Sequence, residues 1–366
     1  ISLTGMAAGK TNTNYSLTDD LKAGVALGTL ANEAVSGTRD ATIFLNGYTL
    51  NGMDNAGTTK LAGITTQNGQ KLTIDGSRNE GRFSVMSGFT TALTNANGAE
   101  LLVKDTSFIG NDVDIQNDGT LTLEGTGSFG NGVVGTGHTI LNTDVEAGAG
   151  AGRGFFVKSI EQDKLTVNDG KILTANADNL KTNTIENNGT IKLAAGTLDS
   201  AITGGDINIE GIVAINKDVV GTINVNEGTL TANAADYIKG DVVNNAVVSL
   251  KDGTLSKTIT GGQIKIDGDV KADAALTGDI LVSTGKKLTA AADNIKSDVV
   301  NSGEVDLTGG ELAQNIINGD LTVSGNVSTD ADKLLANNIT TNGVLTLTGG
   351  TLNKALTAGS GSLIVA

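Results

Sequence analysis

The feature that most constrains the fold is a repeat in the second half of the chain that has lost one of its parts. Four segments share one pattern, and their first apolar residues are Ile191, Val248, Val305 and Leu345. The spacing between these residues is 57, 57 and then only 40. Lesser strand-like segments lie between them at steps of 16, 16 and 25 residues, and the short unit lacks one step of 16. Stacked coils tolerate the loss of a single step because each coil contacts only its two neighbours.

Each repeated segment alternates apolar and polar residues, as residues 120–124 do, which is typical of a strand with one buried face. Asn-Gly pairs between the segments indicate turns, and such pairs are also typical of antiparallel hairpins. A series of hairpins keeps its direction only if strands are lost in pairs, whereas this repeat has dropped a single step. The sequence therefore predicts an all-β fold, a parallel β-solenoid, with antiparallel blades or hairpins as the alternative. The residues expected to point inward are Ile191, Leu193, Val248, Leu250, Val305, Leu307, Leu345 and Leu347.

The composition agrees with stacked strands. The chain contains no Pro, Cys or Trp. Pro has no N–H to donate to a sheet ladder, so its absence favours continuous stacking. The absence of Cys excludes disulfides and zinc sites built on Cys, but it does not argue for the cytosol, since a long solenoid core does not need disulfides. Coils of about 19 residues in a chain of 366 would form an elongated rod roughly 80 Å long.

The charge of the chain limits its partners. The formal net charge is −15, from 40 acidic and 25 basic residues. A surface of this kind repels phosphate backbones, so we expect no nucleic-acid partner. No apolar run approaches the roughly 18 residues of a membrane helix, so we expect no membrane span.

The two halves of the chain differ in their aromatic content. All seven Phe lie between residues 44 and 156, and the change follows a Gly-Ala-rich stretch at residues 146–154. We predict an N-terminal cap or linker (1–41), an irregular β-solenoid with longer loops (42–156) and regular solenoid repeats (157–366), built from a 57-residue unit of three coils. Apolar residues spaced along 15–35 leave a capping helix possible there.

One resemblance covers roughly residues 40–366. Residues 301–310 have the form Asn-x-Gly-x-h-x-h-x-x-Gly, where h is an apolar residue, and residues 117–121 have a looser version. With the absence of Cys and Pro, this pattern resembles the passenger domains of bacterial autotransporters and the filamentous-haemagglutinin-type adhesins. Residues 107–111 and 128–131 are similar to the Phe-x-x-Asn repeats of polymorphic outer-membrane proteins, the second being one residue short. The resemblance implies a right-handed parallel β-helix, extracellular on a bacterial cell surface, that adheres to glycans or proteins of host cells or other bacteria.

The only histidine, His138, precedes an Asn-x-Asp at residues 142–144. Both fragments are similar to parts of pectin-degrading β-helix hydrolases, but there the order is Asn-x-Asp, Asp-Asp, Gly-His-Gly. Here the histidine comes first, and the only Asp-Asp is at residues 19–20. Hydrolysis needs carboxylates that converge on one bond. We therefore predict no enzymatic activity and a turn or surface position for His138, with a polysaccharide lyase or hydrolase as an alternative.

Aspartates provide the weak metal candidate. Asp267, Asp269 and Asp273 could offer oxygen ligands to Ca²⁺, but they lack the twelve-residue spacing and closing Glu of a calcium loop. We predict no metal and no cofactor. A second set recurs once per repeat, and each member is expected to accept hydrogen bonds from backbone N–H groups and so hold the longest turn. This set is Asp178, Asp236, Asp293 and Asp332.

A ligand-binding surface, if the chain has one, is expected where the aromatic residues are concentrated, because sugars stack on exposed rings. The alternative is that the rings fill the wider coils. The possible glycan-contact aromatics are Phe44, Tyr48, Phe83, Phe89, Phe155 and Phe156.

We expect a non-catalytic adhesin rod for attachment or cell-cell aggregation, with a self-assembling fibre subunit as the alternative. The last residues, 362–366, read as an apolar strand without a charge or Pro to protect its edge. Either more protein follows there, or another copy adds to it, in which case residues 351–366 of one molecule would meet residues 1–41 of the next and form filaments. An intact chain that stays monomeric at high concentration in electron micrographs would contradict the fibre.

Overall fold

β-Strands make up nearly all of the regular secondary structure of the described residues. The structure is a computed structural model that describes residues 13–31, 38–77, 81–148 and 154–366. The chain divides into two compact units: unit 1 contains residues 1–192 and 199–205, and unit 2 contains residues 193–198 and 206–366.

Unit 1 contains twenty-one complete strands among its described residues. They are β1 (Thr13–Ser16), β2 (Leu21–Gly24), β3 (Gly28–Thr29), β4 (Arg39–Phe44), β5 (Thr49–Asp54), β6 (Ile64–Thr66), β7 (Gln70–Asp75), β8 (Ser84–Ser87), β9 (Thr91–Asn95), β10 (Glu100–Lys104), β11 (Thr106–Ile109), β12 (Val113–Asn117), β13 (Thr120–Glu124), β14 (Gly127–Phe129), β15 (Val133–Val134), β16 (His138–Leu141), β17 (Val145–Ala147), β18 (Phe155–Val157), β19 (Ile160–Val167), β20 (Ile172–Asn176) and β21 (Leu180–Asn187).

The division between the units falls within or beside β22 (Thr190–Leu198) and β23 (Ala201–Ile215). The strands of unit 2 are β24 (Val219–Ala232), β25 (Val242–Asn244), β26 (Val247–Leu250), β27 (Gly253–Leu255), β28 (Ile259–Ile266), β29 (Asp269–Ala272), β30 (Leu276–Val282), β31 (Lys287–Ala290), β32 (Val299–Asn301), β33 (Glu304–Leu312), β34 (Ile316–Ile317), β35 (Asp320–Thr329), β36 (Leu334–Leu335), β37 (Asn338–Thr341), β38 (Val344–Leu347), β39 (Leu356–Ala358) and β40 (Ser362–Val365). Single 3₁₀ turns occupy Ala177–Asn179, Ala235–Tyr237, Ala292–Asn294 and Ala331–Lys333.

Successive coils pair through parallel strands. In unit 1, one interior row runs through β4, β7, β10, β13 and β16 and places Ala41, Leu72, Leu101, Leu121 and Thr139 above one another. Its steps of 31, 29, 20 and 18 residues are irregular because longer turns separate some of the strands. The prediction of parallel coils is confirmed.

The first described residues form strands, not a helix. β1 pairs in parallel with β4, and β2 pairs with β5. Gly24 and Gly28 have φ values of 72° and 80°, which an α-helix does not accept. The possibility of a capping helix is therefore wrong for residues 13–31, while residues 32–35 lie outside the described part of the chain.

The repeated apolar positions lie in the core, as predicted. Each has an exposed fraction between 0% and 6%. They are Ile191, Leu193, Val248, Leu250, Val305, Leu307, Leu345 and Leu347. Period-2 alternation explains this result, because every second side chain of a strand points to the same face.

The number of coils in the 57-residue unit needs correction. One row of unit 2 runs from Leu230 through Val248, Ile264 and Ile280 to Val299, in steps of 18, 16, 16 and 19 residues. A coil therefore has about 17 residues in this row. The repeat unit covers three coils and part of a fourth, not three coils.

Equivalent residues of consecutive units consequently lie in different rows. Val305 lies between Leu288 and Leu321, whereas Val248 belongs to the row just described. The coil has several faces, and each face buries apolar residues at alternate positions in the same way. A repeat can therefore shift from face to face while its apolar residues stay inside.

A row of buried polar side chains also crosses unit 1. The Oγ1 of Thr66 donates to the Oδ1 of Asn95 at 2.6 Å, and the Nδ2 of Asn95 donates to the Oδ1 of Asn117 at 2.8 Å. The Nδ2 of Asn117 then donates to the Oε1 of Gln162 at 2.6 Å. Buried amides need such partners, because an unsatisfied one costs about 1–3 kcal/mol.

The same role explains the recurring Asn-x-Gly of the repeats. In unit 2 the Oδ1 of Asn301 accepts from the backbone N–H of Gly303 at 3.0 Å, and its Nδ2 donates to the carbonyl of Asp320 in the next coil at 2.9 Å. Asn244, which has Ala246 in place of the Gly, bonds in the same way to Ala246 and to Gln263. Each Asn therefore holds its own turn and joins it to the following coil.

The strand predicted at residues 362–366 is present as β40, which pairs in parallel with β38. Leu363, Ile364 and Val365 are 42%, 49% and 75% exposed. The head-to-tail contact stays a prediction, and its other half includes residues 1–12 and 32–37, which lie outside the described residues. The division of the chain at residues 41 and 156 also stays a prediction.

Candidate functional site

The structure separates the six candidate aromatics into two groups. Phe89 and Phe155 are 0% and 1% exposed, so they belong to the core and cannot contact a glycan. Phe155 packs against Phe129, whose ring centroid is 5.2 Å away, and Phe129 packs against Phe108 at 4.8 Å. For Phe89 and Phe155 the prediction is wrong, and the alternative that rings fill the coils is right.

The other four candidates reach the surface. Phe83 is 63% exposed and Phe156 is 38% exposed, while Phe44 and Tyr48 are half-buried. Phe44 ends β4, whose row continues through β7. Tyr48, Phe83 and Phe156 lie in or directly before strands of another row, formed by β5, β8, β11, β14 and β18. The structure therefore brings these three together on one face of unit 1, which we call the aromatic row.

The outer surface of the aromatic row consists of two columns of residues that run from coil to coil. Strand register places Val85, Ser107, Ser128 and Phe156 in successive coils of one column. A second column consists of the residues that directly precede these strands and line one cleft, and it begins at Phe83. It continues through Asp105, Thr126 and Gly154. The hydroxyl groups of Ser107, Thr126 and Ser128 thus lie on the coils between the two exposed rings.

These residues form a shallow cleft of about 190 Å³, which we call the Phe83 cleft. Its lining consists of Phe83, Asp105, Ser107, Thr126, Gly127, Ser128 and Gly154. The sequence-based candidates included only Phe83 among these. The signal was present, since residues 107–108 and 128–129 are both Ser-Phe, with the Phe inside and the Ser outside.

Asp105 stabilises the floor of the cleft. Its Oδ1 accepts a hydrogen bond from the backbone N–H of Thr126 in the next coil at 2.9 Å. Its φ of 49° lies in the left-handed region, which is uncommon for a residue other than Gly. Such backbone is retained where surrounding contacts enforce it. The carboxylate is therefore held in a fixed position beside the hydroxyl groups.

Arg82 is a surface residue that the sequence reasoning missed. Its guanidinium lies over the ring of Tyr48, 4.7 Å from the centroid, and is 3.6 Å from the carboxylate of Asp20. Asp20 also accepts from the backbone N–H of Thr49 at 2.8 Å. The positive charge of Arg82 is thus partly balanced by a carboxylate of its own unit.

His138 and Asp144 have separate partners. The Nε2 of His138 is 2.8 Å from the Oγ1 of Thr166, and burial together with the nearby charge of Lys164 lowers the pKa of His138 below its usual value. Asp144 accepts from the backbone N–H of Ile172 at 2.9 Å. Each group therefore connects neighbouring coils.

The three aspartates of the calcium candidate do not converge. Asp267 accepts hydrogen bonds from the hydroxyls of Ser249 at 2.6 Å and Ser283 at 2.5 Å. Asp273 forms an ion pair with Lys271 at 2.9 Å. In the part of the chain that the structure describes, no group of three or more His, Cys, Asp or Glu side chains is arranged to hold a metal ion.

Comparison with known proteins detects no match to this chain. No protein-family model matches the sequence, and no significant match is found among curated proteins or solved structures. Within the described ranges, no helix is both long and apolar enough to cross a membrane.

Three of the four recurring aspartates accept hydrogen bonds from backbone N–H groups, as predicted, but these groups belong to the next coil. Asp236 accepts from Thr254 at 2.8 Å and Asp293 accepts from Glu311 at 3.2 Å. The same arrangement joins Asp332 to Thr351 at 2.9 Å. These carboxylates therefore fasten one coil to another as well as shaping a turn.

Three other aspartates that bond in this way have lowered pKa values. Backbone N–H groups of Thr136, Thr258 and Asn315 stabilise the ionised form and hold each pKa below the usual range; the acceptors are Asp118, Asp241 and Asp298. Asp114 differs from these three aspartates, because burial raises its pKa above the usual value. A lowered pKa in the folded state contributes stability above the unfolded-state pKa, and that contribution disappears as pH falls through the folded-state pKa.

We expect the triple variant Asp118→Asn, Asp241→Asn, Asp298→Asn to be less stable than the wild type at pH 7. This difference should shrink as the pH falls from the unfolded-state pKa of about 3.9 through the lower folded-state pKa values, because protons bind the unfolded wild-type chain before they bind the folded one. Thermal unfolding of both proteins between pH 7 and pH 2.5 at constant ionic strength measures the difference. A stability difference that stays constant from pH 7 to pH 2.5 would show that ionisation of these carboxylates does not contribute to stability.

Proposed function

We propose that the protein is a non-catalytic attachment protein of a bacterial cell surface, which contacts glycans or proteins of other cells through the aromatic row. The observation that carries the proposal is the exposure of Phe83 and Phe156 beside a floor of hydroxyl groups. The resemblance to autotransporter passenger domains and filamentous-haemagglutinin-type adhesins supports an extracellular location.

Exposed aromatic rings offer a large apolar contact area to a binding partner. Contact surfaces are enriched in aromatic residues, and a few of them commonly supply most of the binding energy. Here each ring sits on a coil held by parallel strands from the coils before and after it, as β11 and β14 hold the floor. The rings therefore need little ordering when a partner binds, which favours affinity.

The test is attachment of cells to the immobilised protein. We expect the double variant Phe83→Ala, Phe156→Ala to reduce attachment about tenfold or more, because two binding rings contribute at least about 1.4 kcal/mol together. Ile212→Ala is the matched control, since Ile212 is 74% exposed and lies in unit 2. Attachment that is equal for the wild type and the double variant, with both folded by circular dichroism, would refute the proposal.

A further inference from the structure

We infer that the ligand of the Phe83 cleft is an uncharged oligosaccharide that lies across several coils of unit 1, along the direction in which the coils stack. The inference rests on the proposed function, since it assigns a ligand class to the same aromatic row.

The spacing of the two rings sets the length of the ligand. Phe83 directly precedes β8, and Phe156 lies on β18, with β11 and β14 between them. Three strand-to-strand steps of about 4.8 Å separate them by about 14 Å along the stacking direction. A single sugar ring cannot reach both aromatic rings. A chain of several sugar rings can.

The size of the cleft agrees with a chain. Pockets that enclose a small molecule usually have about 300–1,000 Å³. The Phe83 cleft has about 190 Å³, and Gly127 and Gly154 contribute no side-chain walls. A ligand here is cradled along one side and continues beyond the cleft, as a polymer does.

The polar groups of the floor match the hydroxyls of a sugar. Ser107, Thr126 and Ser128 each provide a hydroxyl that can both donate and accept a hydrogen bond. Asp105 adds a carboxylate that accepts. Sugar rings present hydroxyls at their edges and C–H groups on their faces. An oligosaccharide can therefore bond to this floor while stacking on Phe83 and Phe156.

The charge of the site selects against acidic sugars. Asp105 lines the cleft, and the chain as a whole carries a net charge of −15. One cation beside the row, Arg82, faces Tyr48 and Asp20 on its preceding side. A carboxylate or sulfate on the ligand would be repelled, because like charges at an interface oppose binding.

The experiment is isothermal titration of the full chain with cello- and malto-oligosaccharides of one to six units, and with oligogalacturonate as the acidic counterpart. We expect the affinity for at least one neutral series to rise with length and to reach a plateau once the oligomer spans both rings. Phe83→Ala and Phe156→Ala should each weaken binding of the hexamer about fivefold or more. Ile212→Ala should leave binding unchanged.

Phe156→Ala distinguishes a spanning ligand from a single bound sugar, because it should weaken binding of the hexamer but not of the dimer. Equal affinity at all lengths, tighter binding of oligogalacturonate, or no binding of either neutral series overturns the inference. If cells still attach in a manner that depends on both rings, the proposed function survives that result. Attachment that ignores both rings removes the proposed function itself.

Discussion

Replacing Phe129 by alanine should lower the free energy of unfolding of unit 1 by about 3–5 kcal/mol, the usual cost of removing a buried Phe side chain. Phe129 is 0% exposed and lies between two other rings. Its centroid is 4.8 Å from that of Phe108, in an edge-on arrangement, and 5.2 Å from that of Phe155. The variant therefore loses two aromatic contacts and leaves a cavity in a row whose coil spacing prevents collapse.

The measurement is denaturant unfolding followed by far-UV circular dichroism. Phe83→Ala is the control, because it deletes the same atoms from a side chain that is 63% exposed, and it should cost less than about 0.5 kcal/mol. Similar losses for the two variants would contradict the placement of Phe129 in the core.

A second large effect is expected for Gly268→Ala in unit 2. A Cβ at residue 268 would overlap the backbone carbonyl oxygen of Lys251 in the preceding coil. The neighbouring backbone cannot move away freely. The N–H of Asp267 donates to the carbonyl of Leu250 at 2.8 Å, and the N–H of Asp269 donates to the carboxylate of Asp252 at 2.9 Å. The variant must stretch or break such bonds, so we expect a loss of about 3 kcal/mol, the upper end for overpacking.

Gly285→Ala is the matched control for Gly268→Ala. No atom lies within 4 Å of a Cβ at residue 285, but its φ is 70°. Alanine there should cost only the roughly 1–2 kcal/mol of placing a residue with a Cβ in the left-handed backbone region. Amide hydrogen exchange of residues 247–272 should show lost protection in Gly268→Ala and little change in Gly285→Ala. The reverse order would show that the coils are not packed as described.

The sequence by itself determined that the chain forms parallel stacked strands and which side of each strand is buried. Alternation with period 2 is local, so it can be read from one segment, and the loss of a single repeat step favoured parallel coils over paired hairpins. The recurring aspartates could also be assigned to backbone hydrogen bonds from their place in turns. For Phe155 and Phe156 the same alternation requires opposite sides once β18 is recognised.

Tertiary structure alone decided which coil lies beside which. All faces of a coil bury apolar side chains in the same way, so no local pattern distinguishes the row of Val248 from the row of Val305. Phe89 was misjudged because Gly88, with a φ of 72°, turns the chain and directs the next ring inward. The Phe83 cleft has the same origin. Its residues come from four coils, and only the register between strands, which is a contact between distant parts of the chain, places Ser107 and Ser128 between two exposed rings.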